Sequence, residues 1–207
     1  MKSLLLSCFI MVTFVTVSFG QDQPGIGKGV KAPDFEATNY KGEKVRLSQL
    51  YSNGPVVLIF YRGGWCPYCN TQLQQLQASL DDFKKYNASL VAVSVDKITK
   101  AAATVKDKNL GFEVISNPEG DILEAYDLIY QVPDELNKKY KEQYDIDLEA
   151  ASGRTDHVIA IPATYIINTS GTIVFAYANK SKGSGKGSVK GSGYSPVSQQ
   201  KGSSTQQ

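Results

Sequence analysis

Residues 55–69 read PVVLIFYRGGWCPYC. Pro55 to Phe60 is an almost wholly apolar run, the pattern of a strand buried on both faces. Arg62, Gly63, Gly64 and Trp65 make a loop, and Cys66 follows at once. From Cys69 onward the apolar residues fall at 69, 73, 76, 80 and 83. That spacing of four, three, four and three marks one face of a helix. Gln72, Gln74, Gln75 and Gln77 take the other faces. A buried strand therefore hands over to an amphipathic helix, with Cys66 and Cys69 at the junction.

Working outward, Val30 to Thr38 reads as an extended segment that turns at Asn39–Gly42 and returns through Lys44–Leu47. Ser89–Val95 is a second buried strand, Ala101–Lys108 a helix and Phe112–Ile115 a short strand. Glu119–Tyr126 is a helix begun by Asn117 and Pro118. Gln131–Tyr144, rich in Lys, Glu and Tyr and containing Pro133, reads as an inserted surface helix. Ser152–Asp156 is a polar loop. Thr164–Ile167 and Ile173–Tyr177 form a hairpin around Asn168–Gly171. Strands and helices alternate and then end in a hairpin, which predicts an α/β fold with a mixed central sheet flanked by helices.

The two ends differ from this middle. Lys2, the apolar run Leu4–Val17, and Ser18 and Gly20 at the small-residue positions of a cleavage site predict a signal peptide over residues 1–20. Cleavage before Gln21 would send the protein to the periplasm or outside the cell. Lipidation at Cys8 is disfavoured by the short apolar stretch before it. Residues 180–207 hold five lysines, no acidic residue and mostly Gly, Ser and Gln, the composition of a flexible tail. The domain expected between them spans residues 21–179. Lys2 and the tail lysines account for six of the 22 basic residues, so that domain carries 16 basic against 20 acidic groups. A net charge of +2 gives no reason to expect nucleic acid. No stretch beyond the N-terminus is long enough to insert in a membrane.

With Cys8 removed, the mature chain keeps only Cys66 and Cys69. A disulfide closing so small a loop removes little chain entropy and cannot staple a fold. In an oxidising compartment such a pair reads as a working redox pair. Two thiols and one imidazole, His157, fall short of the four ligands of a structural zinc site, and no cofactor is expected. A helix N-terminus favours thiolate, Pro67 suits the first turn, and Arg62 adds a cation.

Ala32-Pro33-Asp34-Phe35, Pro55–Phe60, Tyr61–Asn70 and Ile161–Asn168 followed by Gly171 resemble the peroxiredoxin-like branch of the alkyl hydroperoxide reductase/thiol-specific antioxidant (AhpC/TSA) family, within the thioredoxin superfamily. The resemblance runs from Val30 to Tyr177. It implies a thioredoxin-like fold and reduction of hydroperoxides at the expense of a thioredoxin-like or other thiol donor. Peroxiredoxins carry Pro-x-x-x-Thr-x-x-Cys, and counting back from Cys69 this chain has Arg62 for Pro and Cys66 for Thr. In that register Cys69 attacks the peroxide and Cys66 resolves. The family's late active-site arginine is replaced by Pro162, which matches the cis-proline facing the cysteine pair in thioredoxins. In the thioredoxin register Cys66 attacks and Cys69 resolves. On the strength of the full-length resemblance the expectation is the first register, with Cys69 attacking and Cys66 resolving, although nearness to the free N–H groups of the helix favours the second.

Three functions fit these residues: a thiol-dependent peroxidase, a thiol-disulfide oxidoreductase, and a non-catalytic binding module of the same fold. The intact cysteine pair argues against the last; Cys66 and Pro162 favour the second, and the family resemblance makes the peroxidase the expected function. Trp65 either shields the thiols or caps the core. His157 sits in a polar loop and reads as a surface residue. Asp96, at a strand end, reads as a helix cap.

Overall fold

A computed structural model describes residues 24–179. The expected signal peptide, with Cys8, and the expected tail lie outside the described residues, as does Gln21. A seven-stranded mixed sheet carries the fold. In chain order the strands are β1 (Glu36–Asn39), β2 (Lys44–Arg46), β3 (Val56–Phe60), β4 (Ser89–Ser94), β5 (Glu113–Ser116), β6 (Ile129–Gln131), β7 (Val158–Ala160), β8 (Ala163–Ile167) and β9 (Ile173–Ala178). The large sheet runs β2-β1-β5-β4-β3-β8-β9, and β6 pairs with β7 in a separate ribbon. β3 lies parallel to β4 and β4 to β5, while β8 runs antiparallel to both β3 and β9. The helices are α1 (Leu47–Asn53), α2 (Pro67–Ala78), α3 (Leu80–Lys85), α4 (Ile98–Lys108), α5 (Asp121–Ala125), α6 (Asp134–Tyr144) and α7 (Leu148–Ser152).

The alternation of β3 splits the core in two. Val56, Leu58 and Phe60 face a core shared with Val91, Val93, Ile115, Tyr126 and Tyr165. Val57, Ile59 and Tyr61 face the other core, with Ala92, Val114, Leu73 and both cysteines. The five apolar positions expected on one helix face all reach this second core, with Cys69 and Leu73 buried and Leu76, Leu80 and Phe83 packed at its edge. Burying a side chain such as Leu73 contributes ~1.5–3 kcal/mol, so α2 is anchored through its middle.

Several elements differ from the sequence reading. The long helix begins earlier, at Pro67, and breaks at Ser79, whose N–H bonds back to the carbonyls of Gln75 and Leu76. The first strand starts only at Glu36, because Pro33 has no N–H to offer a ladder and Lys31 makes only an isolated bridge to Thr172. The inserted segment is not helical throughout: Gln131 ends β6, and α6 starts after Pro133. β7, α1 and α7 were not anticipated. No helix among the described residues is long and apolar enough to cross a membrane.

Candidate active site

β3 leaves the sheet at Tyr61, whose N–H makes a last bond to the carbonyl of Val93, and the chain swings through Gly63 and Gly64. Both glycines are sterically required. A Cβ at Gly63 (φ +152) would lie 2.8 Å from Asp96 Oδ1, and one at Gly64 would lie 2.0 Å from Thr104 Oγ1. The Cys66 N–H closes the turn on the Gly63 carbonyl at 3.1 Å. Asn70 Nδ2 donates to the Gly64 carbonyl at 2.8 Å, tying the loop to the helix it precedes.

Cys66 is the N-cap of α2, in extended conformation, with Pro67 in the first turn. Its sulfur accepts the backbone N–H of Cys69 at 3.3 Å. The hydrogen bond from the Cys69 thiol does most to pull the Cys66 thiol down to about 6, helped by the Cys69 N–H, the Arg62 cation and the Tyr68 N–H. The same shared proton, together with burial, holds the Cys69 thiol well above the ordinary range. The reduced pair thus divides into one sulfur poised as thiolate and one kept as thiol. Both are covered, Cys66 being 1% exposed and Cys69 5%, whereas Tyr68 between them is 82% exposed.

Of the residues singled out from sequence, Cys66, Cys69, Arg62 and Trp65 converge. Arg62 is buried beside Cys66, and Trp65 packs against the cysteine core. Pro162 departs from expectation. The described residues contain no cis peptide bond, so the cis-proline of the thioredoxin register is not formed. β7 leaves the main sheet to pair with β6, and the chain re-enters at β8 along an extended path that a trans proline fits. The Pro162 carbonyl accepts the Asn179 N–H.

Asp96 is not a helix cap. α4 is preceded by Lys97 with no side-chain cap, and the Asp96 carboxylate turns inward, Oδ2 taking the Gly64 N–H at 2.7 Å. Burial pushes its carboxyl up to about 6. Its place at the C-terminal end of a parallel strand, where sites gather, was the available signal. His157 is half-buried rather than fully exposed. Its Nε2 lies 2.9 Å from Glu149 Oε1 on α7 and 3.1 Å from Asn137 Nδ2 on α6.

Tyr140 of α6 was missed altogether. It is buried, its ring lies 5.7 Å from that of Trp65, and its hydroxyl accepts a hydrogen bond from Arg62. Nothing in the polar run around it distinguishes it from a surface tyrosine. Trp65 also lines a cleft of about 310 Å³, together with Gly64 and Asp96, residues of α4 and Asp145–Asp147.

A mixed sheet of this order with a dithiol pair at the head of a helix defines a thioredoxin-fold protein of the two-cysteine kind. The AhpC/TSA family matches residues 28–176, and the chain belongs to it. It is 31% identical over 112 residues to peroxiredoxin Bcp of Bacillus subtilis, covering 54% of this chain and 70% of that protein. It is 27% identical over 177 residues to the thiol-disulfide oxidoreductase ResA of Oceanobacillus iheyensis, covering 83% and 76%. Two Mycobacterium tuberculosis sequences that bear the name peroxiredoxin match at 31% over 94 residues; the match spans 45% of this chain and 61% of theirs. Among solved structures, peroxidoxin BcpB of Mycobacterium tuberculosis superposes with a TM-score of 0.60 at 21% identity, covering 74% of this chain and 86% of that one. Peroxiredoxin 6 of Arenicola marina, as a cysteine-to-serine mutant, gives 0.61 at 19%, covering 76% and 67%. At these identities the structural likeness speaks for the fold alone.

Proposed function

We propose that the protein is an exported thiol-dependent peroxidase in which Cys66 attacks, Cys69 resolves, and a thioredoxin-like dithiol recycles the pair. The observation that carries this reading is the Cys66 sulfur at the N-cap of α2, holding the Cys69 N–H with Arg62 beside it. The Cys66 thiolate takes the terminal hydroxyl of the hydroperoxide as the O–O bond breaks. The alkoxide leaves and is protonated to the alcohol, and Cys66 becomes a sulfenic acid. The Cys69 thiol then displaces hydroxide from it, giving the Cys66–Cys69 disulfide and water. Two thiols of the donor return the pair to the reduced state as the donor becomes a disulfide. This order of attack is the thioredoxin register, the reverse of the one the full-length resemblance favours.

Stopped-flow mixing of reduced protein with hydrogen peroxide, followed by Trp65 fluorescence, tests the reaction; consumption of one equivalent with formation of one disulfide is expected. Likeness to ResA favours a second reading, thiol-disulfide exchange through a mixed disulfide on Cys66. Reduction of a protein disulfide without peroxide consumption would select it. Export rests on Lys2, the Leu4–Val17 run and the Ser18/Gly20 pair. A mature N-terminus at Gln21 is expected, and an intact Met1 on the protein in cells would overturn export.

A further inference from the structure

Cys66 is 1% exposed, and Trp65, the residue before it, packs at the edge of the core that holds both cysteines. The indole belongs to three surroundings at once. It packs on the core that holds both cysteines, it lines the 310 Å³ cleft, and its ring lies tilted against that of Tyr140, with centroids 5.7 Å apart, in a small cluster with Val132, Leu148 and Ile159. Tyr140 in turn comes from α6, an element outside the large sheet. α6 is held at its other end by His157, through Asn137 on α6 and Glu149 on α7. Neither cysteine lines the cleft.

We infer that Trp65, held by Tyr140, is a gate between the cleft and Cys66, and that α6 sets the size of molecule that reaches the sulfur. With α6 seated, the site admits small hydroperoxides and excludes bulky hydroperoxides and aromatic disulfides; the peroxide part of this inference rests on the peroxidase reading above. Two features support it. An in-line attack on a disulfide needs room in front of the attacking sulfur for both the attacked sulfur and the leaving group beyond it, which Cys66, 1% exposed, lacks. And Arg62, which faces Cys66, is bonded to the same Tyr140 that holds the indole, so the ring that closes the gate also positions the cation.

The test compares reagents of two sizes on the reduced full-length chain. Iodoacetamide is set against dithiodipyridine, and hydrogen peroxide against cumene hydroperoxide. In Tyr140→Ala the ratio of bulky to small rate should rise about tenfold in both pairs, and in Tyr140→Phe, which keeps the ring, it should stay within about threefold of wild type. His157→Ala, which frees one end of α6, should raise the ratio by about threefold and decides the matter if Tyr140→Ala does not fold by circular dichroism. An unchanged ratio in the folded variant overturns the gate. If no form consumes either peroxide while the thiol-reagent ratio rises, the gate stands and the peroxidase reading falls.

Discussion

The backbone N–H of Cys69 lies 3.3 Å from the sulfur of Cys66, so the helix that carries the second cysteine stabilises charge on the first. The asymmetry follows from position: Cys66 is the N-cap, facing the unsatisfied N–H groups, while Cys69 lies one turn inside and supplies one of them.

That asymmetry predicts the labelling pattern. After peroxide, dimedone should mark Cys66 in Cys69→Ser, and should mark nothing in Cys66→Ser. Label on Cys69 in Cys66→Ser would restore the peroxiredoxin register.

The Cys66 thiol is drawn down to about 6, so iodoacetamide alkylation should rise with pH through that value and level off above it. Cys69→Ala removes the largest contribution, the thiol hydrogen bond, and should move the midpoint upward. Arg62→Gln should move it the same way by less. Thiolate absorbance in the ultraviolet gives both midpoints directly.

Asp96 should destabilise the fold at neutral pH. Its carboxyl rises from 3.8 to about 6 because it is buried, and its Oδ1 has no hydrogen-bond partner among the described residues. Between those two values the native state binds more protons than the unfolded chain. Stability therefore falls as pH rises through that window, and the full cost, roughly 3 kcal/mol, stands above it. Asp96→Asn, which can still accept the Gly64 N–H, should raise Tm at pH 7 and flatten the dependence between pH 4 and 6. A drop in Tm at pH 7 would show that the charge is compensated.

Gly64→Ala places a methyl group 2.0 Å from Thr104 Oγ1, a buried hydroxyl already bonded to the Lys100 carbonyl. A loss of about 1–3 kcal/mol in urea unfolding is expected. Thr104→Ala in the same chain should recover part of it, because it removes the clashing atom.

Leu73 is fully buried beneath the cysteine turn. Leu73→Ala should cost about 2–5 kcal/mol, measured by the same unfolding. A smaller loss would mean that α2 settles into the space, and the Cys66 midpoint should then shift as well.

Features that depend on neighbours along the chain were legible in the residues alone. The apolar run of β3, the face of Cys69, Leu73 and Leu76, and the cysteine pair at the strand-to-helix junction are local patterns, and all are present. Arg62 and Trp65 came with them because they occupy the same loop. Other features depend on segments far apart in sequence and emerge only when the chain packs. Asp96 turns inward because β4 lies beside β3 and the Gly64 N–H needs an acceptor. Pro162 lies between β7, paired with β6 in the small ribbon, and β8 in the large sheet, and its peptide bond is trans. Tyr140 lies in a run of charged residues whose pattern is that of a surface helix, and it becomes part of the site only because Trp65 and Arg62 offer it a place to bury. Chain-local signals encode which face of an element is apolar, but the choice of which distant element covers it belongs to packing.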